Sequence, residues 1–137
     1  MRLEITRRTD LATRALLELH RRGDKTKSAD LAAELGTTPG FLSHAMTPLI
    51  GRGWVRSEPG PTGGYRLVTP LAGISVLQVI ETIEGPTDTE RCVLEKRLCS
   101  GGVPCALHQP WAKARGQLLG ELGRTTLATL ARRKDRR

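Results

Sequence analysis

The 137-residue chain carries 22 Lys and Arg against 14 Asp and Glu, a formal net charge of +8, with 38% hydrophobic and only 3% aromatic residues. That length supports one compact domain with an appended element, not two sizeable cores, and a core of Leu, Ile, Val and Ala suits packed helices better than a sandwich. No apolar run reaches the roughly 18 residues of a bilayer span and no cleavable leader opens the chain, so a cytoplasmic protein with no membrane partner is expected, its positive field suited to polyanions.

A first helix is expected from Thr9, with Thr9 as N-cap and the charge of Asp10 favouring the positive end of the helix dipole. Leu11, Ala12, Ala15, Leu16 and Leu19 form its apolar stripe and Gly23 ends it. A second helix runs from about Ser28 to Leu35 and stops at Gly36. Thr38 followed by Pro39 starts a third, since threonine caps free amides and proline at the first helical position forfeits no bond. Its inward face is expected to be Phe41, Leu42, Ala45, Met46, Leu49 and Ile50, leaving Gly40, Ser43, His44 and Thr47 outward, with a bend at Pro48. A short helix, a tight turn and a helix with small polar residues on its free face make a helix-turn-helix whose second helix enters a major groove.

After Gly53, the run Trp54-Val55-Arg56 and the run Tyr65 to Val68 flank a segment dense in turn formers, Pro59 to Gly64, which predicts a β-hairpin. Placed directly after a recognition helix, that hairpin is a wing. Ser43, His44 and Thr47 are the candidates for base contact, and Arg52, Arg56 and Arg66 for phosphates or the minor groove.

Ser75 and Gln78 have capping-box spacing and open an apolar helix that Gly85 and Pro86 terminate. From Thr87 to Gly102 periodicity is lost, and this loop delivers Cys92, Cys99 and then Cys105, with gaps of six and five residues. An odd number of cysteines excludes a complete disulfide framework and suits a reducing compartment. Soft sulfur donors at these spacings suit zinc or an iron-sulfur cluster, and the absence of the two-residue gaps of structural zinc knuckles tilts the reading toward iron and sulfide. The positive charges of Arg91, Lys96 and Arg97 would offset an anionic thiolate site. His108, three positions after Cys105, shares a helix face with it and could complete the site locally.

Leu107, Trp111, Ala114, Leu118 and Leu122 then repeat at intervals of four and three like a helix-pairing seam, and Gly116, Gly120 and Gly123 would admit a partner backbone, so a long dimerisation helix is expected. Leu127, Leu130 and Ala131 suggest a last short turn before a solvated basic tail from Arg132. The fold expected is mainly α with a small β-hairpin wing: a winged helix-turn-helix domain over residues 1–70, a connecting helix over 71–86, a cysteine-rich loop over 87–105, and a dimerisation helix with basic tail over 106–137. No nucleophile-base pair, phosphate-cradling glycine motif or paired-acid signature is present, so no enzyme is expected.

The opening Met1-Arg2-Leu3, the stretch Thr9-Asp10-Leu11-Ala12, the wing sequence Gly60-Pro61-Thr62-Gly63-Gly64-Tyr65-Arg66-Leu67 and the three-cysteine loop resemble the Rrf-type winged-helix transcriptional regulators of the IscR and NsrR kind, over nearly the whole chain. The resemblance implies a homodimer that binds palindromic double-stranded promoter DNA and holds a two-iron or four-iron cluster on Cys92, Cys99 and Cys105. It also offers two fourth ligands. The segment from Cys99 to His108 is similar to the IscR loop, where a histidine at this place ligates a two-iron cluster; Asp10 stands where NsrR-type nitric oxide sensors supply an aspartate from the opposite subunit to a four-iron cluster. The function expected is an iron-sulfur-dependent regulator, a repressor responding to nitric oxide or redox stress, with a regulator of iron or cluster-assembly genes and a zinc-stabilised interaction protein as the alternatives.

Overall fold

A computed structural model describes residues 1–95, 97–99 and 103–136. In chain order the elements are α1 (Arg7–Arg22), α2 (Ser28–Glu34), α3 (Pro39–Gly51), β1 (Val55–Glu58), β2 (Gly64–Leu67), a 3-10 turn at Leu71–Gly73, α4 (Val76–Glu84), α5 (His108–Arg124) and α6 (Leu127–Lys134). Leu11, Ala15, Leu16 and Leu19 of α1 pack with Leu31 and Ala32 of α2 and with Leu42, Ala45, Met46 and Leu49 of α3 to form the core, which Trp54, Tyr65, Ile74, Val79 and Leu127 close. Among the described residues no helix is long and apolar enough to cross a membrane.

Helix α1 starts earlier than Thr9, because the cap is Thr6: its backbone is extended, and its hydroxyl accepts from the Thr9 amide at 3.2 Å. Thr9 is instead fully buried inside the first turn, where its hydroxyl donates to the Glu84 carboxylate at the end of α4. The same carboxylate accepts from the amide and hydroxyl of Thr6, both at 3.3 Å, so α4 supplies the negative charge that the α1 N-terminus favours. Thr6 and Thr9 both satisfy the sequence rule for a cap, and only the tertiary position of Glu84 separates them.

Helix α3 begins at the expected cap, Thr38, which accepts from the Phe41 amide at 3.2 Å. Two of its expected core residues are not buried: Phe41 is 50% exposed and Ile50 36%. At 100° per residue the buried set Leu42, Ala45, Met46 and Leu49 points in one mean direction, and Phe41 and Ile50 each lie about 90° from it, at the edges of the exposed face. Pro48 leaves the helix unbroken. The carbonyl of His44, which a proline amide cannot serve, accepts instead from Arg8 of α1, at 3.2 Å from Nε and 2.8 Å from Nη2.

Strands β1 and β2 pair antiparallel with Val55 opposite Leu67, Arg56 opposite Arg66 and Ser57 opposite Tyr65. Thr26 adds one further rung through its amide and carbonyl to Tyr65, at 2.9 and 2.8 Å. This close approach dictates the glycine pair in the wing. A Cβ on Gly64, whose φ is +150°, would stand 2.4 Å from the Thr26 carbonyl oxygen, and one on Gly63 would stand 2.0 Å from the Glu58 oxygen.

The capping box at Ser75 and Gln78 is present, with Ser75 N to Gln78 Oε1 at 2.9 Å and Gln78 N to Ser75 Oγ at 3.1 Å. The chain end forms a helix where a last short turn is expected after α5, while residues 132–136 are exposed, as expected of the tail. Thr126 caps a helix that runs to Lys134, and the Leu127 amide donates to the Ile74 carbonyl at 2.9 Å, which carries the Leu127 side chain into the core. Three apolar residues spaced i, i+3, i+4 suffice for a helix once a core exists to receive them, whereas in isolation so short a helix would be marginal.

Glu18 is the one buried carboxylate among the described residues. It accepts from Arg21 Nε at 2.9 Å and from Arg22 Nε at 3.0 Å, and the hydrogen bond from Arg21 leads the interactions that lower its pKa from 4.5 to about 2 against the opposing effect of burial. A depressed folded pKa contributes stability above the unfolded value and loses it as the folded form takes up its proton. Glu18→Gln should therefore reduce stability at neutral pH by on the order of 2 kcal/mol, discounted because Arg21 faces solvent, and should flatten the loss of stability between about pH 4.5 and 2. Urea unfolding of the two chains across that range measures the difference.

Candidate nucleic-acid interface and metal centre

The free face of α3 presents Gly40, Ser43, His44 and Thr47 to solvent, as the sequence predicts. The Thr47 hydroxyl donates to the Ser43 carbonyl at 2.8 Å, so its remaining capacity toward a base is as an acceptor. Ser43 and His44 keep their side-chain donors and acceptors free of intramolecular bonds among those described. At the end of α3, Arg52 lies 4.8 Å over the ring of Trp54, which fixes a cation beside the wing.

On the hairpin, Arg56 and Arg66 oppose each other across the strands and are both exposed. Two like charges directly opposite destabilise a sheet unless an anion sits between them. Arg66 has Asp24 at 3.5 Å, whereas Arg56 makes no ion pair among the described residues. A pair of guanidinium groups projecting from a narrow ribbon matches the fork geometry that phosphate oxygens accept. Sequence reasoning missed Arg8; the signal was Pro48 itself, since a mid-helix proline orphans a carbonyl that some donor must meet.

The second feature is the cysteine loop. Its shape rests on the Arg91–Leu98 bridge, with the Cys92 amide donating to the Arg97 carbonyl at 2.9 Å and the Cys99 amide to the Glu90 carbonyl at 3.2 Å. Glu90 turns the chain at a φ of +58°, a left-handed value uncommon for a residue with a side chain. The result is convergence: the Sγ atoms of Cys92, Cys99 and Cys105 all lie within 4.8 Å of one another, as free thiols. Three thiolates on one tetrahedral ion with bonds of about 2.3 Å would stand about 3.8 Å apart, so the spacing fits a metal-bound set with little movement.

Backbone amides at Leu94 and Glu95 aim at the Cys92 sulfur and lower its pKa, the Glu95 nitrogen standing 3.3 Å away. Burial pushes the Cys99 thiol up, and the neighbouring Cys92 sulfur adds to this. Three sulfurs, one whose ionisation the backbone amides favour and another whose ionisation burial opposes, form a soft donor set that fits zinc or iron.

A cavity of about 340 Å³ adjoins the thiols, walled by Cys99, Cys105, His108 and Trp111 and by the Asp88–Arg115 ion pair at 3.1 Å. His108 opens α5 with its amide donating to the Cys105 carbonyl at 3.0 Å, and its imidazole shares the cavity while standing outside the 4.8 Å sulfur group. Asp10 is elsewhere: it lies exposed in the first turn of α1, bonded to Arg14 at 3.0 Å, and takes no part in the walls of this cavity. Of the cations expected to flank the site, Arg91 lines the cavity and Arg97 is paired with Glu95; Lys96 and the Ser100 to Gly102 stretch fall outside the described residues.

Comparison with known proteins agrees with this architecture. The profile of the Rrf2 family, described as "Iron-dependent Transcriptional regulator", matches residues 5–133. The chain is 34% identical over 131 residues to an HTH-type transcriptional regulator of Mycobacterium tuberculosis, across 94% of this chain and 81% of that protein. It is 31% identical over 132 residues to the HTH-type transcriptional regulator IscR of Photobacterium profundum, across 95% of this chain and 76% of that one. Among solved structures, Staphylococcus aureus CymR superposes with a TM-score of 0.71 at 27% identity, over 92% of this chain and 96% of that chain. A winged helix-turn-helix with a cysteine loop, matched along nearly its full length, is thus a DNA-binding transcriptional regulator and no enzyme: the chain belongs to the Rrf2 family.

Proposed function

We propose that this regulator is an iron-sulfur-dependent repressor, acting as a homodimer in the cytoplasm, which leaves its promoters when nitric oxide or oxidants attack the cluster. The convergence of three free thiols within 4.8 Å on one loop carries the reading. Cys92, Cys99 and Cys105 would hold the group, which when bound supplies an iron site open to small reactive molecules. The fourth ligand is either Asp10 of a second subunit, since within one chain Asp10 is not at the cavity, or His108, which already lines it.

Two side-chain bridges connect the loop to the DNA-reading helix. Glu84 ends α4, shortly before the loop, and holds the start of α1 through Thr6 and Thr9; Arg8 of α1 holds the carbonyl of His44 in α3. A change in the loop that displaces the end of α4 therefore reaches the recognition helix through hydrogen bonds already in place, and half-site spacing on DNA is sensitive to such displacement.

The dimer reading rests on α5, of which no residue is fully buried in the single chain. Leu107 and Leu118 lie exposed along the predicted seam, Trp111 and Leu122 are half-buried, and a Cβ at Gly116 would meet nothing within 4 Å. Beside them, Leu3 and Ile5 of the N-terminal arm face Leu118, Leu119 and Leu122 across an apolar groove of about 400 Å³. Such a surface suits burial against a second copy.

For docking, Ser43, His44 and Thr47 face base edges, and Arg52, Arg56 and Arg66 take phosphates or the minor groove. Arg56→Ala should weaken binding to all sequences and lower the salt slope by about one for each copy of the chain, whereas Ser43→Ala should alter sequence preference at one position per half-site. Fluorescence anisotropy titrations at several salt concentrations separate the two. The cofactor is tested by anaerobic purification: a brown protein with iron and acid-labile sulfide supports the reading. Colourless protein with stoichiometric zinc supports instead a zinc-stabilised interaction protein, the arrangement that sulfurs this close also satisfy.

A further inference from the structure

Phe41 is the only phenylalanine of the chain, and it stands half exposed in the first turn of α3, three residues before His44 on the same side of the helix. A side chain of this size in water forfeits the gain of burying it, and the core beneath α3 is complete without it. Its neighbours are small. Gly40 has open space where a Cβ would be, and Ser43 and Thr47 follow along the exposed face, so the N-terminal half of the helix can lie close to base edges with Phe41 as the one protruding apolar group. In helix-turn-helix docking it is the N-terminal residues of the recognition helix that touch bases.

The polar groups on this face offer hydrogen bonds, whereas the thymine 5-methyl group is recognised in the major groove by apolar contact, for which Phe41 presents the largest surface in the N-terminal half of the helix. We propose that Phe41 is a specificity-determining residue that packs against a thymine methyl in each half-site. This rests on the reading of α3 as the groove-entering helix. It assigns to Phe41 a role that burial of the residue would have excluded.

The test uses the full chain and a duplex that the chain itself selects from a random-sequence library, resynthesised with uracil in place of each thymine in turn. Uracil keeps every hydrogen-bonding group and removes only the methyl. Wild-type binding should weaken about fourfold at one thymine per half-site, the factor that burial of a single methyl supplies. Phe41→Ala should bind the thymine and uracil duplexes equally, and Phe41→Leu should keep part of the preference, with thermal unfolding of both variants unchanged.

The proposal is overturned if no uracil replacement weakens the wild type, or if Phe41→Ala shows the same uracil sensitivity as the wild type. Ser43→Ala on the same duplexes distinguishes the two failures. If it alters sequence preference while uracil has no effect, the helix docks and only the role of Phe41 is wrong; if neither matters, the docking of α3 is wrong as well.

Discussion

Cys99→Ser should give a chain that folds, elutes as the wild type does, and is colourless after anaerobic purification, with iron content reduced at least tenfold. Cys99 is the buried member of the sulfur triad, so its removal takes away the donor best shielded from water. Serine occupies nearly the same volume but offers a hard oxygen that holds its proton at neutral pH, a much weaker ligand than thiolate for an iron-sulfur cluster. Loss of one ligand from a set that already needs a fourth from elsewhere leaves two sulfurs, too few to retain the group against a chelator. Promoter affinity of this variant should equal that of stripped wild-type protein. Iron and sulfide assays with a parallel anisotropy titration check both parts, and wild-type iron content in the variant would show that the thiols act in some other capacity.

In the proposed dimer, Leu118→Glu should separate the two chains with little change in the fold of each. The side chain is 44% exposed on α5, so a carboxylate there costs the single chain little, but in a seam it would meet its own symmetry mate in an apolar surround. Two half-sites read by one linked pair bind with an effective concentration that separate chains lack, so operator affinity should fall by about a hundredfold to a thousandfold. Sedimentation velocity reports the assembly state and circular dichroism the fold. A variant that stays dimeric would move the interface away from α5.

Most of the fold is legible in the sequence because caps and glycines punctuate it. Thr38 with Pro39, the Ser75 and Gln78 box, and Gly23 each stand at the boundary they predict. What fails is whatever depends on tertiary partners. Thr6 displaces Thr9 as cap because Glu84, far along the chain, needs both hydroxyls. Phe41 and Ile50 are apolar but fall at the edges of the stripe, where composition argues for burial and angle decides against it. Helix α6 forms because Leu127 finds a core and Ile74 a donor, neither visible in its own short sequence.

For the site, the cysteine spacing foretold a common sulfur centre and the structure brings the three Sγ atoms together. The spacing gave no sign of how the amides of Leu94 and Glu95 would turn toward Cys92, because that depends on the loop backbone. His108 could be placed near Cys105 because only three positions separate them, although α5 begins at His108 and Cys105 stands just before the helix. Asp10 could not be placed by any local rule, since its claim depends on a second subunit.

In the proposed switch, the state of the thiolate site sets the grip of the regulator on its promoter. The most direct measurement is the equilibrium affinity of one protein preparation for one promoter duplex in three states: as isolated without oxygen, after exposure to nitric oxide, and after removal of iron by a chelator. Affinity should be at least tenfold tighter in the first state than in the other two, a coupling of about 1.4 kcal/mol or more. Equal affinity in all three would contradict the switch.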